Sequence, residues 1–366
     1  MRHIDPQTDA AANHVGQNGP RRILIATDAW DPPQVNGVAL TYRDTALKLE
    51  SWGDRVEVIH PRCFEKKWFT IKGDNVEVIR DRGYTARRID QFAPDHLHIA
   101  TEGPIGMAAQ NHCRKNNIAF TTTYHTQWPE YVERRTLGLV GAGFIYPIMR
   151  RFHNRSSGIM ATTPEMAELL SDKGFSPPIS VWTRGVDTNL FHPRQNPEQI
   201  PEPLRGVKKP IYLYVGRLAR EKSIDDFLEV ACEGTKCVVG EGPDAARLKS
   251  KFPDAIFPGL HKGEALAAYY AAADLFVFPS LTDTFGKVLI EALASGTPIA
   301  ARDHQAPRFI LGKSGAGVAH ADMATAMQQA LEVDPAICLK RAKDFSIDQA
   351  TQQFRDNLVP CRPVMM

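Results

Sequence analysis

Two basic residues follow a strand-like run in the stretch YLYVGRLAREK and could bind a phosphate group. Arg217 comes directly after Gly216, where the apolar run ends, and Lys222 precedes Ser223, a suitable N-cap for the helix predicted next. Two cations beside the positive end of a helix would bind a dianion such as pyrophosphate. A solvent-exposed turn in which Arg217 pairs with Glu221 is the alternative explanation of this spacing.

Two acids in the stretch TDTFGKVLIEALASG indicate a site for a ligand with several hydroxyl groups. Asp283 stands where we expect a helix to begin, near Thr284, and Glu291 lies two turns further on among core residues. Taken singly, Asp283 could be only an N-cap, and Glu291 could be only a surface partner of Lys287. Taken together, two carboxylates at one edge suit a sugar, because carboxylates accept hydroxyl hydrogen bonds strongly.

The stretch VVGEGPDA has the G-x-G-x-x-A spacing of a dinucleotide-binding turn. A nicotinamide site would also need an acid at the end of the next strand, and that strand ends in FPGL without one. This argues against a nicotinamide dehydrogenase. The glycines, Gly242 among them, would permit either a tight turn or the close approach of the backbone to another ligand.

Two further candidates lie in the first half of the chain. Asn36 and Gly37 follow the first predicted strand and allow a tight turn at the start of a helix. His125 ends another strand, in TTYHTQWPEY, and so faces the same edge of the sheet. A single histidine is more often structural than catalytic, but this position favours a role at a site.

The chain that must position these residues is predicted to be an α/β protein. Short apolar runs alternate with amphipathic segments, which predicts parallel sheets covered by helices on both faces. Ligands of such sheets bind at the carboxyl ends of the strands. We predict a disordered leader (1–20), an N-terminal Rossmann-like domain (21–195), a Pro-rich linker (196–209), a C-terminal Rossmann-like domain (210–338) and a C-terminal helix that could pack back on the N-terminal domain (339–366).

Composition excludes several other classes of protein. The chain has 366 residues and a formal net charge of +2, which indicates no nucleic-acid partner. Its 6 cysteines lack zinc spacing and are typical of reduced thiols in the cytosol. No apolar run is long enough to cross a membrane, and the polar first residues do not resemble a signal peptide. The oligomeric state stays open.

Six stretches of the sequence together resemble one family of enzymes. GRLAREK, VVGEGPDAARLK and FPGLHKGEALAAYYAAADLFVFPSLTDTFGKVLIEALASGTPIAA, with VNGVALTYRD, TTYHTQWPEY and RGVDTNLFHP before them, resemble the retaining glycosyltransferases of family 4, which have the GT-B fold. The resemblance runs from about Arg22 to the C-terminal helix. It implies two Rossmann-like domains facing each other across a cleft, with a nucleotide-sugar donor bound mainly by the C-terminal domain.

The resemblance also implies roles for the candidate residues. Arg217 and Lys222 would hold the diphosphate, and Glu291 would bind the ribose hydroxyls. Asp283 replaces the first glutamate of the family's E-x7-E motif, and would reach the sugar hydroxyls with one methylene less. The other implied donor contacts are His125 near the reaction centre, Gly37 at the phosphates, the backbone of Gly216, Phe285, Gly286 and Lys287, and Gly242 with Pro258–Leu260 around the base.

The family resemblance implies a metal-independent reaction with retention of configuration. No D-x-D triplet occurs in the chain, so Arg217, Lys222 and helix dipoles would have to neutralise the phosphates. Because Asp283 and Glu291 are assigned to binding, no carboxylate remains as an evident nucleophile. We therefore expect attack on the face of the leaving group, through an oxocarbenium-like state, with the leaving phosphate accepting the acceptor's proton.

The motifs NGVALTY, YHTQWPEY and TDTFG are most similar to the branch of the family that glycosylates lipids, namely diacylglycerol, sulfoquinovosyl and phosphatidylinositol glycosyltransferases. Two basic and apolar patches agree with contact to an anionic membrane. They contain Lys66, Lys67 and Trp68, and then Arg134, Arg135, Arg150 and Arg151 around the uncharged run 137–149. A buried helix pair with solvated basic ends is the alternative for the second patch.

The expected activity is transfer of a hexose or uronic acid from a UDP-sugar, UDP-glucose or UDP-glucuronate, to a lipid such as diacylglycerol. The expected location is the inner face of the cytoplasmic membrane, as a peripheral protein. Three alternatives stay open: transfer to a soluble saccharide or small molecule, mannosyl transfer from GDP-mannose, and a nucleotide-binding module without transfer activity.

Overall fold

The computed structural model describes residues 19–30, 37–65, 67–71, 76–125, 127, 129, 133, 139, 141–194 and 196–361. These residues form two α/β domains, each built on a six-stranded parallel sheet. Two Rossmann-like domains were predicted from the sequence, and the two sheets confirm that fold.

The N-terminal domain contains a parallel sheet and a separate antiparallel strand pair. Its strands are β1 (Arg22–Ala26), β2 (Arg55–Ile59), β3 (Lys67–Ile71), β4 (Val76–Ile79), β5 (His96–Ile99), β6 (Thr121–Tyr124), β7 (Gly158–Ala161) and β8 (Ile179–Val181). Its helices are α1 (Gly37–Ser51), α2 (Tyr84–Phe92), α3 (Pro104–Lys115), α4 (Ala142–His153) and α5 (Pro164–Asp172). The sheet order is β2-β1-β5-β6-β7-β8, and β3 pairs with β4.

The C-terminal domain repeats this plan. Its strands are β9 (Ile211–Val215), β10 (Thr235–Val239), β11 (Ile256–Gly259), β12 (Leu275–Phe278), β13 (Ile299–Arg302) and β14 (Gly317–His320). Its helices are α6 (Ile224–Leu228), α7 (Ala245–Lys251), α8 (Gly263–Ala272), α9 (Lys287–Ala294), α10 (Gln305–Leu311), α11 (Met323–Ala330) and α12 (Pro335–Ala342). The sheet order is β11-β10-β9-β12-β13-β14.

The central strands of the C-terminal sheet are apolar along their whole length because helices cover both faces. All five residues of β9 and all four of β12 are buried. Alternate residues of β9 point to opposite faces, so Leu213 joins one core cluster while Tyr212 and Tyr214 join the other. The strand order reverses between β9 and β12, and such a switch point opens a crevice at the carboxyl ends of the strands.

The end of the chain returns to the N-terminal domain. A final helix, α13 (Ile347–Asp356), buries Phe354 against Tyr42 and Trp182. The indole of Trp182 donates a hydrogen bond to the Ala350 carbonyl at 2.9 Å, and Arg355 pairs with the buried Asp54 at 2.8 Å. These contacts join the C-terminal segment to the N-terminal core.

Candidate active site between the two domains

The loop after β12 joins an acid to a cation from the loop after β9. The Lys222 ammonium donates a hydrogen bond to Asp283 Oδ1 at 2.7 Å. Burial alone would raise the pKa of Asp283, but the Lys222 ammonium and the Ser280 hydroxyl outweigh it and hold that pKa below its usual value. Asp283 is therefore an ionised partner of Lys222 at the carboxyl edge of the sheet.

The alternative explanation of Asp283 as a helix N-cap does not hold, and the expected helix start near Thr284 was wrong. Helix α9 begins at Lys287 rather than near Thr284, and its N-cap is Gly286, whose backbone is left-handed with φ 75°. A left-handed backbone is costly for residues with a Cβ. The sequence DTFGK therefore reaches the helix by a glycine turn, and Asp283 stays in the loop.

The helix after Lys222 is short. It is α6, with five residues, and Ser223 before it makes no side-chain cap hydrogen bond because its backbone is left-handed with φ 52°. The prediction of Ser223 as a capping side chain was wrong. Arg217 lies 3.9 Å from Glu221, the pairing that the sequence offered as an alternative to phosphate binding. Arg217 and Lys222 nevertheless belong to one loop at the end of β9.

Glu291 is a buried acid and not a surface one. Only 6% of it is exposed, and its Oε2 accepts a hydrogen bond from the Tyr270 hydroxyl at 3.0 Å. Burial raises the pKa of Glu291, although Lys287 and Tyr270 partly oppose that effect. Lys287 itself pairs with Asp44 of α1 at 2.6 Å. The alternative of a surface ion pair between Glu291 and Lys287 was therefore wrong.

Three side-chain contacts tie the Asp283 loop and α9 to the N-terminal domain. The Thr284 hydroxyl donates to the His125 carbonyl at 2.6 Å, and the Thr162 hydroxyl donates to the Thr284 carbonyl at 3.0 Å. The third contact is the ion pair between Lys287 and Asp44. The residue next to Asp283 thus meets His125 directly, so candidates from both domains lie at one boundary.

The ring of His125 is held by two neighbours. Its Nδ1 lies 2.8 Å from the Arg184 guanidinium, and its Nε2 lies 2.7 Å from the Tyr42 hydroxyl. Burial, and then the charge of Arg184, lower the pKa of His125 well below its usual value. The imidazole is therefore neutral. Arg184 belongs to the stretch RGVDTNLFHP, but its partner His125 lies 59 residues away, so no local pattern singles it out.

The glycines at the ends of β9 and β10 bring two loops together. A Cβ on Gly242 would lie 2.3 Å from the Leu218 carbonyl oxygen, so no other residue fits there without a shift of the backbone. A Cβ on Gly216 would lie 2.8 Å from the Tyr214 hydroxyl oxygen. The contact at Gly242 is thus with the chain itself, which favours the tight-turn explanation. Leu260, just after β11, is 47% exposed beside these loops.

The remaining donor candidates fall in different environments. Gly37 begins α1, and a Cβ built there would meet no atom within 4 Å. Phe285 is buried against Phe309 and Phe345, so only its backbone could contact a ligand. Asn36 lies outside the described residues.

The acceptor and membrane candidates are only partly covered by the structure. Lys66, Arg134 and Arg135 lie outside the described residues, and Lys67 and Trp68 are described only as backbone of β3. Arg150 donates a hydrogen bond to the Lys173 carbonyl at 3.0 Å, and Arg151 is exposed.

Helix α4, which has Arg150 and Arg151 in its last turn, has one buried and one exposed apolar face. Met149 and Phe152 are buried, whereas Phe144 is 79% and Ile148 is 63% exposed. The exposed pair is spaced i, i+4 and therefore lies on one side of the helix. The alternative of a fully buried helix pair does not hold for α4.

The described part of the chain shows neither a metal site nor a membrane-spanning helix. No three His, Cys, Asp or Glu side chains converge there as a metal site. None of the helices described is both long and apolar enough to cross a membrane.

Comparisons with known proteins identify the family of this chain. Residues 35–190 match the model of Glycosyltransferase Family 4, and residues 209–333 match that of Glycosyl transferases group 1. A GDP-mannose-dependent alpha-mannosyltransferase of Mycobacterium tuberculosis is 30% identical over 84% of this chain and 78% of its own length. The chain therefore belongs to glycosyltransferase family 4 and is a glycosyltransferase of the GT-B type.

Two other relatives transfer different sugars by their names, and one of them is named for a diacylglycerol product. The sulfoquinovosyl transferase of Arabidopsis thaliana is 28% identical over 77% of this chain and 59% of its own. An alpha-monoglucosyldiacylglycerol synthase of Streptococcus pneumoniae is 28% identical over 76% of this chain and 70% of its own.

Solved structures support the same fold. A sucrose-phosphate synthase of Thermosynechococcus elongatus superposes with a TM-score of 0.72 at 18% identity, covering 93% of this chain and 98% of its own. The HepE protein of Anabaena, in complex with UDP and glucose, superposes with a TM-score of 0.67 at 16% identity, covering 92% and 98%.

Proposed function

We propose that this glycosyltransferase moves a hexose or uronic acid from a UDP-sugar to a lipid acceptor such as diacylglycerol, at a membrane surface and with retention of configuration. The observation that carries the proposal is one connected group of side chains at the domain boundary. Lys222 pairs with Asp283, and the next residue, Thr284, contacts His125 of the other domain. A donor bound there would have its phosphates, sugar and reacting carbon beside residues of known chemistry.

The cations would bind the donor diphosphate without a metal. Arg217 and Lys222 share one loop at the carboxyl edge of β9, and α9 begins nearby with backbone N–H groups that lack helical partners. When a diphosphate enters, it competes with Asp283 for Lys222, and Asp283 is then free to accept hydrogen bonds from sugar hydroxyls. Glu291, buried and close to Lys287, would accept the ribose hydroxyls.

The proposed chemistry breaks the bond between the anomeric carbon and the phosphate oxygen and forms a bond to the acceptor oxygen on the same face. The acceptor hydroxyl passes its proton to the leaving diphosphate. The neutral ring of His125, with Arg184 and Tyr42 at its two nitrogens, supports this assignment because it leaves the phosphate as the available base. Catalysis would then consist of positioning and of charge neutralisation.

A lipid acceptor is supported by two independent observations. The streptococcal relative is named for a glycosylated diacylglycerol. Phe144 and Ile148 also present an apolar surface on α4, with Arg151 one turn beyond Ile148. An apolar face with a basic end suits the interface of an anionic membrane.

The test is incubation of the enzyme with a panel of nucleotide-sugars and either diacylglycerol vesicles or water-soluble saccharides, followed by mass spectrometry. A lipid carrying one hexose or uronic acid is the expected product. Transfer only to soluble saccharides would replace the lipid proposal by the soluble alternative. Donor binding without transfer or hydrolysis would leave only a nucleotide-binding module.

Membrane contact is tested separately by flotation with vesicles that contain anionic lipid. Exchange of Phe144 and Ile148 for serine should reduce flotation, because the apolar surface is lost. The matched control is Ile337→Ser, which removes an exposed isoleucine from α12 of the other domain and should change nothing. Equal flotation of all three proteins would refute the role of α4.

A second candidate is mannosyl transfer from GDP-mannose. It is favoured by the mycobacterial relative and by a Corynebacterium glutamicum GDP-mannose-dependent alpha-mannosyltransferase that is 31% identical over 76% of this chain and 71% of its own. Thermal shift with UDP and with GDP separates the two donors, because the nucleotide that binds the folded protein raises its melting temperature.

A further inference from the structure

Arg184 is a buried cation in an unusual setting. Only 5% of it is exposed, and its guanidinium lies over the Trp182 ring, 4.3 Å from the ring centre. It donates to the Trp182 carbonyl at 2.9 Å and to His125 Nδ1 at 2.8 Å. Among the described residues its hydrogen-bond partners are carbonyls and this imidazole, and none is a carboxylate. Burial lowers the pKa of Arg184 to about 10, so it stays charged at neutral pH.

This contact fixes where the proton of His125 lies. A guanidinium can only donate, so Nδ1 of His125 must accept, and the ring proton is on Nε2. The Nε2–H group then donates to the Tyr42 hydroxyl at 2.7 Å. Tyr42 in turn donates to Nε2 of His98 at 2.8 Å, and Nδ1–H of His98 donates to the Thr121 hydroxyl at 2.8 Å. All these hydrogen bonds run in one direction, away from Arg184.

The charges around His125 oppose its protonation. After burial, the causes that lower the pKa of His125 are Arg184, His98 and His153, and the pKa of His98 is itself lowered to about 3. Tyr42 is fully buried, and burial raises its pKa, so it stays neutral. The carboxylate of Glu102 pairs with Nε2 of His153, whose Nδ1 contacts the Thr122 hydroxyl. In the described part of the chain, this carboxylate makes no hydrogen bond to His125.

The fixed ring holds a piece of backbone that the site uses. The carbonyl of His125 accepts the Thr284 hydroxyl at 2.6 Å, and Thr284 follows Asp283, the partner of Lys222. Without these two ring contacts, residue 125 as a whole could shift, and with it the carbonyl that docks the Asp283 loop. Arg184 therefore acts on the site through His125 and not by contact with Asp283 or Lys222.

We propose that Arg184 is a positioning residue, which holds His125 as the neutral Nε2–H tautomer so that His125 orients the Asp283 loop and exchanges no proton during the reaction. This inference rests on the proposed glycosyl transfer for its kinetic consequences. Its structural content, the tautomer of His125, does not depend on activity and can be measured without a donor.

The first measurement is the 15N NMR spectrum of the histidine-labelled protein between about pH 5.5 and 8. The His125 signals are identified by their loss in His125→Asn. We expect a pyridine-like Nδ1 and a protonated Nε2 throughout this range. In Arg184→Met the cation and donor are gone while burial remains, so the pKa of His125 should rise from its wild-type value, and Nδ1 should no longer be fixed as the pyridine-like nitrogen.

The second measurement is the pH dependence of kcat with the best donor and acceptor. Arg184→Met should lower kcat roughly 10- to 100-fold, the scale of a lost charged hydrogen bond, and should move the loss of activity at acid pH to a higher pH than in the wild type. Arg184→Lys keeps the charge and should recover part of the rate. Arg355→Met, which removes another mostly buried arginine beside Asp54, should leave the pH profile unchanged.

The results separate this inference from the proposed function. If the wild type transfers no sugar, the proposed function fails, while the NMR spectra still decide the role of Arg184. An Nδ1–H tautomer in the wild type, or titration of wild-type His125 within the range, overturns the inference. It is also overturned if Arg184→Met folds with the wild-type tautomer and pH profile. If that variant does not fold, the wild-type spectrum and Arg184→Lys provide the test.

Discussion

Exchange of Glu291 for glutamine should strengthen the fold and weaken donor binding. The side chain is 6% exposed, and burial raises its pKa, so the ionised carboxylate costs stability in the free protein. Glutamine has the same shape and can still accept the Tyr270 hydrogen bond, but it carries no charge. If Glu291 only packed in the core, its exchange would not raise stability and weaken donor binding at the same time.

The size of the binding loss follows from the type of hydrogen bond. A bond to a charged group contributes about 1.5–3 kcal/mol and a neutral one about 0.5–1.5 kcal/mol. Exchanging one for the other at the ribose should cost about 1–1.5 kcal/mol, a five- to tenfold rise in Kd. Isothermal titration with the preferred nucleoside diphosphate measures it. The matched ligand is the 2′,3′-dideoxy form, for which Glu291→Gln should cause almost no loss.

The stability effect has a defined pH dependence. A carboxyl whose folded pKa is raised stabilises the fold fully below its unfolded pKa of about 4.5, and that contribution is lost as pH rises through the folded value. Glu291→Gln should therefore melt above the wild type at pH 8, and the gap should shrink toward pH 5. Unchanged affinity for both nucleotides, or a lower melting temperature at pH 8, would refute the assignment of Glu291 to the ribose.

Three further changes probe the rest of the site. Arg217→Ala or Lys222→Ala should lower kcat by roughly tenfold or more and change donor affinity less, because the leaving diphosphate gains charge in the transition state. Initial rates measured over a series of donor concentrations separate the two quantities. A loss of donor affinity with an unchanged kcat would contradict this role. Asp283→Glu should shift the relative kcat/KM for glucose, galactose, mannose and glucuronate donors, whereas an unchanged ranking would remove Asp283 from the sugar. A double-mutant cycle of Asp44→Asn and Lys287→Met should give a coupling of about 1 kcal/mol or more in chemical denaturation, since both side chains are largely buried at the boundary; additive effects would show that this ion pair does not join the domains.

Much of the fold could be predicted because its signals are local. The runs IYLYV and LFVF are apolar throughout, and such runs between amphipathic segments indicate strands covered on both faces. The family motifs sit at the ends of these strands, so their common edge could also be predicted. The strands and the motifs at their ends could be predicted because they depend on residues that are close in the sequence.

The parts that could not be predicted depend on distant partners. Lys222 and Asp283 are 61 residues apart, and Arg184 and His125 are 59 apart, so no local pattern reveals either contact. The start of α9 was misplaced because Gly286 adopts a left-handed turn, which delays the helix to Lys287.

Transfer of a sugar from a UDP donor to a lipid is tested most directly by mass spectrometry. The products to be measured are those formed from UDP-glucose, UDP-glucuronate and GDP-mannose with diacylglycerol vesicles. We expect a diacylglycerol that carries one sugar from a UDP donor, and at least roughly tenfold less of it from the Lys222→Ala variant at matched protein and time. A product formed only from GDP-mannose would contradict the proposed donor. Glycosylation of soluble acceptors alone would contradict the proposed lipid acceptor.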